Sequence, residues 1–387
     1  MSPRRSFGKR LVDRVLRGLD AAVPADGTIL LHSVPDLDDN IVAVIERFPE
    51  DADFRVLARH PSAAKRRARQ LGLGSVRIVK RRSPAGVWRY LRSSTTVTTH
   101  GLFGFAPRRA PKSSVGLWHG ELGKQIGQFI SEGARYFDWV PVSSHLSRMI
   151  RAAEFGLDPH RIHVVGSPRQ STLQRRATRP ALDRMRKEGE QWLVWVPTYR
   201  QSVLRDLRVD GDPSQATITA GPELADLRSL LESYGARLWI RPHPLASQDI
   251  QIGLCDFVCS ATNASLQEMG ATFYDLLARS DCLITDYSSV WVDYLLLDKP
   301  IIGACFDLRS YRVHRGLALE PYEAWFPGPL AESPEQLIEE LRLVLSGDDR
   351  CRQHRQFISR LLVDEGLDYV ESLLHVLGMT EGGAVRH

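Results

Sequence analysis

The chain has 387 residues, 43% of them hydrophobic and 25% charged, with a formal net charge of +5. That length allows two ordinary domains or one large one, each able to bury a core. No apolar run approaches ~20 residues, which excludes a transmembrane helix, and the basic N-terminus lacks the apolar stretch and small-residue cleavage site of a signal peptide.

The charge is unevenly spread. Residues 1–120 hold 22 Lys/Arg against 10 Asp/Glu, and the remainder 29 against 36. A basic front half suits a polyanion, an anionic membrane face or phosphorylated substrates. Cys255, Cys259, Cys282, Cys305 and Cys351 sit mostly in apolar surroundings. The C-x3-C pair has no second cysteine pair and no nearby histidine, which argues against zinc. A reduced, cytoplasmic compartment fits best.

In chain order, residues 1–23 read as a basic amphipathic helix. Leu11, Val15, Leu19 and Ala22 recur at helical spacing, with Val12, Leu16 and Val23 widening the stripe, and Arg4, Arg5, Lys9, Arg10, Arg14 and Arg17 stand against only Asp13 and Asp20. Such a helix lies on anionic lipid or packs its stripe on the domain; both readings stand. From Gly27 the pattern turns to βα repeats. Strands are expected at 28–32, 54–58, 76–79 and 95–98, with helices at 41–48 and 63–71. This alternation predicts an α/β fold with a parallel, doubly wound sheet. Asp36-Leu37-Asp38-Asp39-Asn40 follows the first strand, where such sheets place ligand loops. Its D-x-D is either a metal site or, more commonly, an N-cap for the helix from Ile41.

Val115 to Leu117 delivers Trp118-His119-Gly120 into a glycine-flanked turn with Lys124 nearby. The glycines let the backbone pass close to a ligand, which favours a functional histidine over a core one. Strands at 137–142 and 162–165 close the first series, and the charged, strand-free stretch 171–190 reads as a linker. A second βα series follows. Trp192 to Val196 runs into Pro197-Thr198-Tyr199-Arg200, and Arg237 to Ile240 runs into Arg241-Pro242-His243-Pro244. The polar segment 201–219 reads as a loop, 224–234 as a helix, and 334–346 and 352–377 as amphipathic helices.

Residues 280–302 are the candidate phosphate-binding stretch. Cys282 to Thr285 is a buried parallel strand, Asp286-Tyr287-Ser288-Ser289 a turn, and Val290 to Leu297 a helix. A strand, a Ser-rich turn and a helix start present N–H groups and a positive dipole end, which is either a phosphate site that needs no metal or, more commonly for such a stretch alone, an ordinary strand-turn-helix with a serine N-cap.

Five signals stand in order at strand ends: W-H-G, P-T-Y-R, R-P-H-P, I-T-D-Y-S-S-V-W-V-D-Y with K-P, and R-G…P-G-P. Together, over residues 28–375, they resemble the CDP-glycerol glycerophosphotransferase family, which builds teichoic-acid-like polymers of glycerol or ribitol phosphate. The resemblance implies a GT-B fold, two Rossmann-like domains with parallel sheets facing a central cleft. The expected division is 1–23 for the basic helix, 24–180 for the acceptor domain, 190–350 for the donor domain and 351–387 for a C-terminal helix and tail.

By the same resemblance, His119 and His243 are the catalytic histidines, the first facing the acceptor and the second beside the donor diphosphate. Thr285, Ser288, Ser289 and Arg241 would hold that diphosphate, with Gly120, Arg200, Asp286, Arg315 and Gly328 in support. Asp39-Asn40 matches an early D-N pair. Gln170 stands where the family has Asp, and Glu121 where it has Thr or Ser. The implied donor is CDP-glycerol or CDP-ribitol, and the implied acceptor an undecaprenyl-diphosphate-linked saccharide or a polyol-phosphate polymer. No metal and no cofactor are implied, and the length is close to the bare catalytic core of the primases. An anionic membrane surface on the inner face of the cell membrane would be the partner of residues 1–23. Two other readings stand: a GT-B glycosyltransferase using a nucleotide sugar, and a nucleic-acid-binding protein, for which no RNP, zinc or helix-turn-helix signature is present.

Overall fold

The structure, a computed structural model, describes residues 7–74, 76–105, 107–130, 133–175, 179–198, 222–242, 256–364 and 368–379, with the backbone alone at 7–14 and 222. Cys255, Tyr199, Arg200, His243 and the expected loop 201–219 lie outside them. The chain divides into two compact units. The first comprises Met1–His119, Ile126–Thr172 and Asp364–His387, and the second Gly120–Gln125 and Leu173–Val363.

The first unit carries β1 (Ile29–His32), β2 (Phe54–Ala58), β3 (Ile78–Lys80), β4 (Thr95–Thr98) and β5 (Ser113–Gly116) in a sheet of order β3-β2-β1-β4-β5. A separate pair, β6 (Val140–Val142) and β7 (Ile162–Val164), joins through a single bridge from Val115 to Trp139. The second unit carries β8 (Trp192–Val196), β9 (Arg237–Ile240), β10 (Val258–Ser260), β11 (Cys282–Thr285), β12 (Ile301–Ala304) and β13 (Leu330–Ala331), ordered β10-β9-β8-β11-β12-β13. The strands of both sheets pair in parallel. In each sheet the first strand lies inside and the order reverses beside it, between β1 and β4 and between β8 and β11. That reversal is the switch point of a doubly wound sheet, where ligands bind beyond the carboxyl ends.

Burial explains why these runs are strands. Cys282, Leu283, Ile284 and Thr285 of β11 are all 0% exposed, as a central parallel strand covered on both faces must be. Each fully buried aliphatic or aromatic side chain stabilises by about 1.5–3 kcal/mol, and Leu193, Trp195, Leu238 and Ile284 pack in one core with Leu337 and Leu341 of the helix Pro334–Leu345. Burial also pushes the Cys282 thiol up in pKa, so it is an inert core group.

The expected linker holds two short helices, Gln170–Gln174 and Pro180–Met185. The last helix, Tyr369–Val376, joins the first unit, where Leu373 shares the core of Leu31 and Val56 and Arg47 meets Asp368 at 3.1 Å. Gly166 (φ 67) is obligatory beneath it, since a Cβ there would lie 2.2 Å from the Tyr369 ring.

The N-terminal helix, Phe7–Ala22, is fastened at its end by Asp20, which is 5% exposed. The Asp20 carboxylate accepts from Arg108 Nη2 (2.7 Å) and Nε (3.2 Å) and from Lys112 Nζ (3.1 Å). Val15 and Leu19, on the stripe read from the sequence, remain 53% and 45% exposed. The part of the stripe they form is therefore not packed on the unit.

Candidate active site

In the first unit, β1, β4 and β5 are neighbours, and each ends at or just before a histidine: His32, His100 and His119. The His100 and His119 rings stack, with centroids 4.3 Å apart and planes 4° from parallel. Trp118 leans on His119 at 4.6 Å and has φ 53, a left-handed conformation that a bulky residue holds only against a cost of about 1–3 kcal/mol. The buried Asn40 stabilises it: Asn40 Nδ2 donates to Trp118 O at 3.1 Å while Oδ1 accepts from Arg169 N at 3.1 Å. One amide thus ties together the loops after β1, β5 and β7. Only a side chain that both donates and accepts can do this, which neither Asp nor Leu does. Gln170 closes the adjoining turn, Oε1 accepting from Ser167 N at 2.7 Å and Nε2 donating to Ser143 Oγ at 2.9 Å.

The electrostatics of this edge keep its imidazoles neutral. His119 is exposed to solvent, yet crowding by surrounding protein, then His100 and Arg151, lower its pKa well below the usual histidine value; a hydrogen bond to the Thr99 backbone works the other way. Burial lowers His100 to about 4, helped by His32 and the Arg59 charge. His32 is also lowered to about 4, by burial foremost, and its Nδ1 bonds Leu57 O at 2.7 Å. Asp38 moves oppositely: removal from water raises its carboxyl to about 7, against the Ile41 N–H it accepts at 3.1 Å.

Both outer carboxylates of the D-x-D are engaged with backbone. Asp38 caps the helix Asp39–Ile45, and Asp36 accepts from Arg59 N (2.8 Å) and His60 N (2.7 Å). Among the described residues no group of three or more His, Cys, Asp or Glu side chains is set to hold a metal.

In the second unit the switch point is closed by Asp286, which is 1% exposed. Its carboxylate accepts from Thr198 N (3.0 Å), Thr198 Oγ1 (2.9 Å) and Tyr287 N (2.7 Å), joining Thr198, just beyond β8, to the D-Y-S-S turn. Thr285, expected to meet a diphosphate, is fully buried and donates to Val196 O at 2.8 Å, so it fastens β11 to β8. Ser288 and Ser289 are half-buried, and Ser289 makes no side-chain cap bond. The helix behind them, Val290–Tyr294, has 5 residues before a 3-10 turn over Leu295–Leu297, so its dipole is shorter than the sequence reading allowed.

The remaining expected residues are largely scaffolding. Gly120 and Gly123 let their backbone lie on the serine turn; a Cβ on Gly120 would fall 2.1 Å from Ser289 Oγ, and one on Gly123 3.2 Å from Ser289 N. The close approach expected of these glycines is thus made to the turn itself. Arg315 Nη1 donates to Gln125 O at 2.6 Å, and Gly328 sits where a Cβ would meet Ile301 O at 1.8 Å. Arg241 reaches Ala261 O (2.6 Å) and Asn263 Oδ1 (2.5 Å). Sequence reasoning passed over His32 and His100. His100-Gly101 repeats the histidine-glycine step of His119-Gly120, which was the available signal.

These are two Rossmann-like units of a GT-B-like α/β protein. The chain belongs to the CDP-Glycerol:Poly(glycerophosphate) glycerophosphotransferase family, whose sequence pattern matches residues 19–364. It is 26% identical over 207 residues to the teichoic acid glycerol-phosphate primase of Bacillus subtilis, covering 53% of this chain and 49% of that protein. It is 27% identical over 256 residues to the teichoic acid ribitol-phosphate primase of Bacillus spizizenii, covering 61% and 62%. The chain spans about half the length of the curated relatives it matches. Among solved structures, a variant of the wall teichoic acid polymerase TagF superposes with a TM-score of 0.75 at 19% identity, over 96% of this chain and 92% of that one. A UDP-N-acetylglucosamine 2-epimerase from Listeria monocytogenes reaches 0.55 at 14% identity, over 93% and 98%. Likeness at such identities shows the fold alone, a fold that serves more than one chemistry.

Proposed function

We propose that this chain transfers a polyol phosphate, glycerol phosphate foremost, from a CDP-activated donor to a hydroxyl of a lipid-linked or polymer acceptor in the synthesis of a teichoic-acid-like polymer. The acceptor oxygen bonds to the donor's β-phosphorus, the bond from that phosphorus to the bridging oxygen breaks, and CMP leaves. His119 takes the acceptor's proton. The observation that carries the reading is His119 itself: an exposed imidazole at a strand's carboxyl end, held unprotonated at neutral pH, is a ready general base. Charge developing on the leaving CMP falls to the Ser288 and Ser289 hydroxyls and N–H groups, and to His243 as imidazolium. Arg200 and Arg241 belong to the donor side. The family's description names CDP-glycerol, the relatives' names carry glycerol phosphate and ribitol phosphate, and a crystal of a TagF variant has been soaked with CDPG, which together support a CDP-polyol donor.

The test is CMP release from CDP-glycerol and CDP-ribitol with EDTA present, over a panel of lipid-diphosphate disaccharides and glycerol-phosphate primers. Release should occur with one of the donors and fall on the order of 10²–10⁴-fold in His243→Ala. Absence of CDP-polyol binding, with a UDP-sugar bound instead, would transfer the chain to the glycosyltransferases. A divalent ion essential for turnover would end the metal-free account.

On this reading the enzyme works at the inner face of the cell membrane, held there by the N-terminal helix. No helix among the described residues is long and apolar enough to cross a membrane. Val15 and Leu19 stay exposed beside the exposed Arg17, and each basic residue near an anionic surface contributes about 1 kcal/mol. Because Asp20 fastens this helix, point variants probe the surface better than truncation does. Val15→Asp with Leu19→Asp should move the protein from floated phosphatidylglycerol vesicles to the soluble fraction; unchanged flotation would remove the membrane role.

A further inference from the structure

At the amino-terminal side of β2 and β3 the arginines are neutralised, Arg55 meeting Asp53 at 2.5 Å and Arg77 the same carboxylate at 3.6 Å. The carboxyl ends of the same strands are different. Ala58 pairs with Lys80 in register and Arg81 N donates to Ala58 O at 2.8 Å, so Arg59 and Arg81 leave the sheet side by side, with Arg82 next. Arg59 and Arg82 are exposed, and neither side chain has a hydrogen bond or ion pair among the described residues. Arg81 uses Nη1 on Leu102 O at 3.0 Å, and its buried Nε has no partner. The nearby carboxylate is Asp36, and both of its oxygens already accept backbone N–H groups, from Arg59 and His60.

Three arginines therefore stand together at this edge beside one engaged carboxylate. Burial lowers the Arg81 pKa, and the like charges of Arg59 and Arg82 lower it further. The Arg59 charge also reaches His100, the ring stacked on His119. Buried His32 is held neutral and leaves the balance unchanged. The row β3-β2-β1-β4-β5 thus runs from the arginines to the candidate base along one edge of one sheet.

We propose that Arg59, Arg81 and Arg82 form an anion subsite that binds a phosphate or diphosphate group of the acceptor while its hydroxyl is presented to His119. This rests on the phosphotransferase reading above and names the chemistry of its acceptor side. Guanidinium forks suit phosphate oxygens, and an uncompensated trio at an exposed edge gains most from a dianion. The charge comes either from the diphosphate of a carrier lipid or from phosphodiesters of a growing chain.

Two probes separate these sources: inorganic pyrophosphate and sn-glycerol 3-phosphate, titrated calorimetrically into the full chain with and without saturating CDP-glycerol, which occupies the donor turn. Arg81→Gln, and Arg59→Gln with Arg82→Gln, should each weaken the tighter-binding probe about tenfold or more, flatten its salt dependence and leave CDP-glycerol affinity unchanged, and the double variant, whose side chains hold no bonds among the described residues, should also leave the thermal midpoint unchanged. Preference for pyrophosphate would assign a lipid diphosphate, and preference for glycerol 3-phosphate a polymer. Variants that bind both probes as the unmodified chain does, or an unmodified chain that binds neither, would overturn the subsite. Failure of CDP-glycerol to bind any form would instead strike the donor reading, with the arginine comparison still read from the titrations lacking it.

Discussion

His119→Ala should lower turnover on the order of 10²–10⁴-fold while leaving the fold intact. An alcohol with a pKa far above 7 attacks slowly unless a base takes its proton as the new bond forms. His119 is exposed, so truncating it leaves no buried cavity, and its loss should alter stability by only about 0.5 kcal/mol, as for other surface substitutions. The pH profile carries independent information. Surrounding protein, His100 and Arg151 hold the imidazole's pKa below its ordinary value, so the base form persists on acidification. The acid limb of kcat/KM should fall below the ~6.5 of an unperturbed histidine and vanish in the variant. Near-full turnover by purified His119→Ala, or an acid limb that survives it, would end the assignment. The geometry gives the residue its place: a left-handed Trp118 whose carbonyl is caught by Asn40 aims the next residue past the sheet edge, and the parallel His100 ring limits its rotation.

Asp20→Ala should destabilise the first unit by about 3–5 kcal/mol, because it strands two buried cations. Arg108 and Lys112 are 7% and 6% exposed, and both meet the Asp20 carboxylate. Their other bonds, from Arg108 to Ser93 Oγ and Tyr90 O and from Lys112 to Leu91 O and the Asp20 backbone carbonyl, satisfy hydrogens without neutralising charge. Urea unfolding followed by tryptophan fluorescence should show an earlier first transition. Combining Asp20→Ala with Arg108→Met and Lys112→Met should recover part of the loss, since an apolar group in place of an orphan charge removes the penalty. An unshifted transition in the single variant would mean that water reaches these cations. The clamp also bears on the membrane proposal, for it holds the helix by its last turn and leaves Val15 and Leu19 outward.

The parts of this protein that its sequence determines are those with a local physical cause. Trp192–Val196, Arg237–Ile240 and Cys282–Thr285 were legible to the residue, because a parallel strand covered on both faces must be a short continuous apolar run. The alternation of such runs with helices implied doubly wound sheets before any pairing was known, and the ordered strand-end motifs led to the family. Val258–Ser260 escaped, since three residues of mixed polarity on an outer strand leave no pattern.

Strand order and long-range pairing were decided by the tertiary structure. Nothing local says that β1, β4 and β5 are neighbours, so nothing local pairs His100 with His119 or sets Arg59 beside Arg81. Asn40 and Trp118 are 78 residues apart in sequence, and the helix Tyr369–Val376 returns to the first unit after the whole of the second. The motifs marked where the chemistry stands. Packing decided which of their side chains face outward, as His119 does, and which, like Thr285 and Asp286, are consumed in holding the strand ends together, because a buried polar group must take whatever partner the fold brings to it.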